Sequence, residues 1–124
     1  MDKATLDKIL DNHKLWLSSG GEKGESADLR GAYLSRAYLS RADLSGAYLS
    51  GADLDFTAFP LWCGGLDVHI DDRQAVQLLY HLVRNVKHSK NTSAEMKKLC
   101  KLKSIVKKAN EFHRVDECGV IDNA

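Results

Sequence analysis

The sequence predicts a short solenoid flanked by helices, in one domain of mixed α and β structure. Two observations predict this fold class. Residues 27–56 divide into six units of five residues, ADLRG, AYLSR, AYLSR, ADLSG, AYLSG and ADLDF, and a degraded unit, TAFPL, follows. The segments on either side carry apolar residues at spacings of three and four, which is typical of amphipathic helices. Because 124 residues suffice for one modest core, a single domain over residues 1–124 is expected.

The five-residue period fits neither an α-helix nor a flat strand. A step of five turns each leucine by about 140° on a helix, and it sends successive leucines to opposite faces of a strand. The leucines share one interior only if the chain turns a corner in every unit, and the intervening Gly, Ser and Asp residues favour such turns. The residues predicted to line the interior are Leu29, Leu34, Leu39, Leu44, Leu49, Leu54, Phe59, Ala27, Ala32, Ala37, Ala42, Ala47 and Ala52.

These units resemble the A(D/N)LxG signature of pentapeptide-repeat proteins. The resemblance implies a short right-handed quadrilateral β-helix over residues 27–61, in which four pentapeptides make one square coil. Residues twenty apart then stack about 4.8 Å from one another. The expected stacked pairs are Leu29 with Leu49, Leu34 with Leu54, and Leu39 with Phe59. Fewer than two coils leave two open ends, which solenoids cover with caps.

The flanking segments are therefore predicted to be caps. Residues 1–20 indicate an N-terminal capping helix, with Asp2 as its N-cap and Gly20 and Gly21 as its stop. Residues 62–124 indicate a C-terminal helical cap, built from two helices packed as an antiparallel pair on the coil. The apolar stripes of those two helices are Ala75, Val76, Leu79, Leu82, Val83 and Val86, and then Leu99, Leu102, Val106 and Ala109.

The first helix of this pair is expected to begin at Asp71 and Asp72, and the second to begin after Ser93 and end near His113. The C-terminal segments FPLWCGG, IDDRQAVQLLYHLVRN and NEFHRVDECG are similar to the same region of small pentapeptide-repeat proteins carried by phages and prophages. That resemblance implies no catalytic residues.

The sequence carries little sign of enzymatic or metal chemistry. P-loop, GxGxxG, GxSxG and HExxH motifs are all absent from it. The pairs Cys63 with His69, and His113 with Cys118, lack a third group to orient a nucleophile. No catalytic residue, metal or cofactor is therefore expected. No stretch approaches the roughly 20 apolar residues that cross a bilayer, which predicts a cytoplasmic location and no membrane partner. The phage-like resemblance implies that this is the cytoplasm of a bacterial host cell.

The outward positions of the repeat carry the residue types that dominate binding hot spots, tyrosine and arginine. Three arginines and four aspartates nearly cancel between residues 27 and 61, so the segment does not imitate the charge of DNA. The alternative is structural, since tyrosines also stack well on neighbouring rungs of a pleated surface. The predicted partner-binding residues are Tyr33, Arg36, Tyr38, Arg41 and Tyr48.

A second candidate surface is the basic third helix. Its lysines lie opposite the apolar stripe and could contact nucleic-acid phosphates, or they could simply form a solvated face. The lysines of this basic surface are Lys97, Lys101, Lys103, Lys107 and Lys108.

The leading hypothesis from these observations is a non-enzymatic protein that binds another macromolecule. The phage-like resemblance implies an inhibitor of a bacterial host enzyme or defence complex, acting through protein–protein contacts. The alternatives are nucleic-acid binding through the third helix and a small-molecule sponge with a pocket between coil and cap. An uncovered coil end or apolar helix face would also favour a homodimer.

Overall fold

The computed structural model describes residues 1–122 of the chain. The chain forms two compact units, Met1–Asp71 and Asp72–Ala124. The first unit contains the repeats together with residues 62–71, which the sequence assigns to the C-terminal helical part. Within residues 72–122, all regular structure of the second unit is helical. The prediction that the helices and the coil form one domain stays a prediction.

The first unit begins with helix α1, Lys3–Ser18. Asp2 is its N-cap, as predicted, because the Asp2 carboxylate accepts the N–H of Thr5 at 2.7 Å. The helix ends just before Gly20 and Gly21, both of which adopt a left-handed backbone conformation. Leu6 is buried in one core with the repeat leucines, so α1 packs directly against the repeat segment.

The repeat segment has its leucines inside, as the five-residue period predicts. Leu29, Leu34, Leu39, Leu44, Leu49 and Leu54 are all buried, together with Ala27, Ala47 and Ala52. Ala32, Ala37, Ala42 and Phe59 are partly buried against them. Burial of this contiguous apolar surface is the main favourable term for the unit.

Residues twenty apart are paired along the repeat. Isolated parallel bridges join Asp28 to Tyr48, Tyr33 to Asp53 and Tyr38 to Ala58, and a fourth joins Tyr48 to His69. The N–H groups of the following leucines support these pairs, because that of Leu29 donates to the Tyr48 carbonyl at 2.8 Å. The predicted offset of twenty residues is therefore confirmed by the first three bridges, each of which lies one residue before a predicted stacked pair.

The predicted quadrilateral β-helix, however, is wrong for the described part of the chain. Helices account for 44% of the residues and bridges for only 6%, and residues 1–122 contain no sheet. The physical reason is the turn in each unit: the N–H of Ala32 bonds back to the Leu29 carbonyl, and that of Ala37 to the Leu34 carbonyl. Each pairing is interrupted after one residue, so no continuous strand develops.

The segment after the repeat continues the pairing with a spacing that is longer by one residue, since the bridge from Tyr48 to His69 spans 21 residues. Residues Cys63–Gly65 form a short 3₁₀ helix, and the carbonyl of Gly64 accepts the N–H of Leu44 at 2.7 Å. Further on, the His69 carbonyl accepts the N–H of Leu49 at 2.9 Å. These bonds explain why residues 62–71 belong to the first unit.

The second unit contains α2, α3, α4 and α5, which span Asp72–His88, Ala94–Cys100, Lys103–Ala109 and Val115–Cys118. Its core consists of Val76, Tyr80, Val83, Val86, Cys100, Val106, Ala109, Phe112 and Ile121. The predicted stripe of α2 is correct at Val76, Val83 and Val86, whereas Ala75 and Leu82 are exposed. Tyr80 is buried instead, because its hydroxyl donates to the Gly119 carbonyl and accepts from Arg84.

The single third helix predicted between Ser93 and His113 is also wrong, because it is broken into α3 and α4. Ser93 is the predicted N-cap, and its hydroxyl accepts the N–H of Met96 at 3.1 Å. Leu102, with ψ of 132°, is extended and separates the two helices. The break lets Cys100 and Val106 both enter the core, and it leaves Leu99 and Leu102 about half exposed.

His13 is a polar group inside the apolar core of the first unit. The side chain has no solvent exposure, and Nδ1 accepts the N–H of Ala27 at 3.0 Å. The proton of the neutral ring is therefore on Nε2, which makes no hydrogen bond of standard geometry within the described residues and interacts only weakly with the Ser45 carbonyl. Burial lowers the pKa of His13, while the Ser45 carbonyl and the Asp43 carboxylate act in the opposite direction.

The first prediction concerns pH. Because the folded pKa of His13 lies below its ordinary value of 6.5, the unfolded chain binds this proton more readily. The stability contribution is complete above pH 6.5 and declines as the pH falls through the folded pKa. Each unit of lowering corresponds to about 1.4 kcal/mol of unfolding free energy.

Urea unfolding at several pH values between neutral and mildly acidic checks this expectation. The matched variant is His13→Asn, whose amide oxygen can accept the Ala27 N–H but does not titrate. We expect the loss of stability on acidification to be smaller in the variant. An identical pH dependence of the two proteins would contradict the role of His13.

Candidate functional site

The tyrosines of units two and three are the most exposed aromatic side chains of the repeat. Tyr33 is 66% exposed and Tyr38 is 83% exposed. Each precedes a buried leucine, Leu34 or Leu39, and alternation along the extended backbone sends the tyrosine outward. Neither ring takes part in a ring–ring contact with another described residue. The structural alternative, stacking on neighbouring rungs, therefore does not account for these two residues.

Tyr33, Arg36 and Tyr38 line one groove of about 330 Å³. The other wall belongs to α1, where Leu6 and Leu10 supply apolar surface. The remaining lining residues are Met1, Lys3, Asp7, Leu34, Ser35 and Ala37. Lys3 and Asp7 form an ion pair of 2.8 Å with each other.

Arg36 occupies a turn position that three of the six repeats give to glycine, at Gly31, Gly46 and Gly51. Its φ is +69°, similar to the +71° of Gly31 in the preceding unit. A left-handed conformation costs a non-glycine residue about 1–2 kcal/mol. Phe56, twenty residues later, has a φ of +62°, and the Arg36 guanidinium carbon lies 5.3 Å from the centre of its ring. This cation–π contact partly offsets the strain.

Arg41 lies in a different groove, which we call the Trp62 groove. This groove has a volume of about 490 Å³ and is lined by Ser40, Arg41, Phe59, Leu61 and Trp62. No ion pair, hydrogen bond or ring contact involves the Arg41 side chain within residues 1–122. The predicted set of residues is thus divided between two grooves.

Tyr48 differs from the other predicted residues, because it is stacked. Its ring lies parallel to that of His69, with centroids 4.4 Å apart and planes inclined by 9°. The Arg30 guanidinium carbon lies 5.8 Å from the Tyr48 ring centre, and Arg30 also pairs with Asp28 at 2.8 Å. Hydrogen bonds from the Arg30 side chain, and then from its backbone N–H, lower the pKa of Asp28 to about 2. Tyr48 therefore stacks on a ring of the neighbouring rung, as the structural alternative predicts.

The lysines predicted to form a basic surface have different environments. The Lys97 ammonium donates to the carbonyls of Val86, at 3.0 Å, and of Ser89. Lys108 pairs with Asp72 at 3.1 Å and with Glu111 at 3.4 Å, and the Asp72 hydrogen bond raises the pKa of Lys108. The remaining members, Lys101, Lys103 and Lys107, are exposed. Two of the five lysines are therefore engaged inside the second unit.

The thiols and histidines of the described residues have different environments. Cys63 and Cys118 are exposed free thiols, whereas Cys100 is buried. Over residues 1–122, no group of three or more His, Cys, Asp or Glu side chains is arranged to hold a metal ion. In the same part of the chain, every helix is too short or too polar to span a bilayer.

Sequence reasoning missed Phe56, Leu61 and Trp62. Phe56 and Leu61 lie twenty residues after Arg36 and Arg41, so the predicted register itself was a signal that could have found them. Trp62 follows the repeat, and its indole N–H donates to the Ala42 carbonyl at 3.2 Å. Ala42 lies twenty residues before Trp62, so the same register indicates this bond, which places the Trp62 ring beside the groove.

A leucine-filled repeat segment with outward tyrosines and arginines defines the first unit as a repeat module with an exposed side-chain surface. Residues 25–59 match the family model of pentapeptide repeats in eight copies, so the chain contains a pentapeptide-repeat segment. Such repeats are typically protein–protein interaction or structural repeats, and proteins that contain them are generally non-enzymatic. No curated protein and no solved structure matches the chain.

Proposed function

We propose that the chain binds another protein through the Tyr/Arg face, which consists of Tyr33, Arg36, Tyr38 and Arg41. The observation that carries the proposal is how the two arginines of this face are paired. Neither arginine of this face has a carboxylate partner within residues 1–122, whereas Arg30 of the first pentapeptide repeat pairs with Asp28. The pentapeptide-repeat match supports a role in protein–protein contacts.

An unpaired exposed arginine favours binding for a physical reason. A partner carboxylate forms a charge-assisted hydrogen bond with it without first displacing an internal anion. The flanking tyrosines add large amphipathic surface with few rotatable bonds, which limits the entropy lost on association. Arg36 is also held over Phe56, which restricts its conformations before a partner arrives.

The finer expectation, a phage-encoded inhibitor of a bacterial host enzyme or defence complex, has no support from the comparisons. The proposal is therefore limited to protein binding. Nucleic-acid binding through the lysines is less favoured, because Lys97 and Lys108 are occupied by contacts within the second unit. The expected small-molecule pocket between coil and helices and the expected homodimer stay predictions.

The second prediction tests the Tyr/Arg face. Arg36→Ala combined with Arg41→Ala is expected to reduce recovery of specific partners from a bacterial lysate by about tenfold or more, since hot-spot residues contribute at least about 2 kcal/mol. The measurement is quantitative mass spectrometry after capture on the tagged full chain.

The matched control is Arg30→Ala combined with Arg73→Ala, which removes the same charge from exposed positions outside the face. This pair is expected to retain the partners. Equal recovery by both double variants, each with an unchanged melting temperature, would reject the Tyr/Arg face as the binding surface.

A further inference from the structure

The Trp62 groove combines apolar side chains with one cation. Leu61 is 96% exposed and Trp62 is 47% exposed, while Phe59 is partly buried beside them. Single exposed apolar residues are ordinary, but three that line the same concave surface indicate an interaction site. The groove therefore offers apolar contact area that solvent covers in the free chain.

Trp62 is held in place before any ligand arrives. Its indole N–H donates to the Ala42 carbonyl at 3.2 Å, so the polar atom of the ring is already satisfied. The ring also lies close to Gly64, where an added Cβ would be only 2.3 Å from Cζ2 of the indole. A ring fixed by both contacts loses little conformational entropy on binding.

The charge in the groove comes from one residue. Arg41 is the only ionisable side chain that lines it in the described part of the chain. Leu61 lies twenty residues after Arg41, and bridges between residues twenty apart, such as Tyr38 and Ala58, place neighbouring rungs side by side. The guanidinium therefore borders the apolar surface without a carboxylate to neutralise it.

We infer that the Trp62 groove receives a segment of the partner protein in which a carboxylate side chain is next to a large apolar side chain. The apolar side chain contacts Trp62 and Leu61, and the carboxylate pairs with Arg41. This inference rests on the proposed function and specifies the chemistry of the partner at one end of the Tyr/Arg face. A guanidinium binds a carboxylate through two parallel hydrogen bonds, which makes the pairing directional.

The third prediction tests this chemistry with two blocked tetrapeptides that differ only in one group, acetyl-Gly-Phe-Glu-Gly-amide and acetyl-Gly-Phe-Gln-Gly-amide. The full ¹⁵N-labelled chain has two tryptophans, and Trp16→Phe assigns the indole N–H signal of Trp62. We expect the glutamate peptide to shift that signal saturably, with a Kd about tenfold lower than that of the glutamine peptide.

Two variants separate the charge of Arg41 from a general effect of positive charge. Arg41→Ala is expected to remove the preference for the glutamate peptide, whereas Arg30→Ala is expected to keep it. Equal affinity for both peptides, or a preference that survives in Arg41→Ala, would overturn the inference. So would an unmoved Trp62 signal at about 10 mM peptide, well above a millimolar Kd.

The peptide experiment and the lysate experiment fail independently. If the arginine double variant loses its partners but the peptides are not distinguished, the Tyr/Arg face stands and the inference about the Trp62 groove is rejected. If the peptides are distinguished but the double variant keeps its partners, the proposed function fails. A Trp62 signal that shifts with protein concentration alone would identify a second copy as the occupant and also reject the inference.

Discussion

Replacing Leu39 with alanine is expected to lower the free energy of unfolding of the first unit by about 2–5 kcal/mol, the usual range for a buried leucine. Leu39 has no solvent exposure and belongs to the repeat core. Its N–H donates to the Ala58 carbonyl at 2.8 Å, next to the bridge between Tyr38 and Ala58. The lost methyl groups would leave a cavity in a coil that has little other interior.

Urea unfolding followed by tryptophan fluorescence measures this loss, because Trp16 and Trp62 both lie in the first unit. The matched control is Leu61→Ala, which removes the same atoms from a side chain that is 96% exposed. We expect the control to change the unfolding free energy by less than about 0.5 kcal/mol. A similar loss in both variants would contradict the assignment of Leu39 to the interior.

The five-residue period predicted the interior of the repeat well, because burial follows directly from hydrophobic patterning. It could not predict that pairing stops after one residue in each unit. That outcome depends on turn hydrogen bonds, such as Ala32 N–H to Leu29 carbonyl, which compete with strand pairing. The family resemblance suggested a continuous β-helix, and the backbone of the described residues has isolated bridges instead.

In the second unit, the sequence predictions for Tyr80 and Lys97 were wrong because their hydrogen-bond acceptors are distant in sequence. Tyr80 is buried in the core because its hydroxyl donates a hydrogen bond to the Gly119 carbonyl, which lies 39 residues later in the sequence. The Lys97 ammonium is not part of the predicted basic face, because it donates hydrogen bonds to carbonyls at the end of α2, including that of Val86. A helical periodicity contains no information on either acceptor.

At the candidate site, outward positions in the repeat correctly indicated exposure of Tyr33 and Tyr38. The same rule correctly indicated that Tyr48 is exposed, but it could not predict that the Tyr48 ring stacks on His69, which lies beyond the last recognisable repeat. The rule also treated Arg36 and Arg41 as equivalent. They line different grooves because the residues on the next rung differ, Phe56 for the first and Leu61 for the second.

Replacing Gly24 with alanine is expected to destabilise the first unit by roughly 3–5 kcal/mol, through backbone strain and a steric clash together. Gly24 has a φ of +71°. An added Cβ would lie 2.3 Å from the carbonyl oxygen of Asn12 and 2.9 Å from the backbone nitrogen of Trp16. Both atoms belong to the backbone of α1, so no side-chain rotation can relieve the contact.

Gly20→Ala separates the two causes, because Gly20 has a similar φ of +66° and nothing within 4 Å of an added Cβ. Its expected cost is about 1 kcal/mol, which represents the left-handed backbone alone. The difference between the two variants in urea unfolding therefore measures how firmly the Gly24 segment packs on α1. Equal losses would show that α1 moves away at little cost. The wall that α1 provides to the groove lined by Tyr33, Arg36 and Tyr38 would then not be rigid.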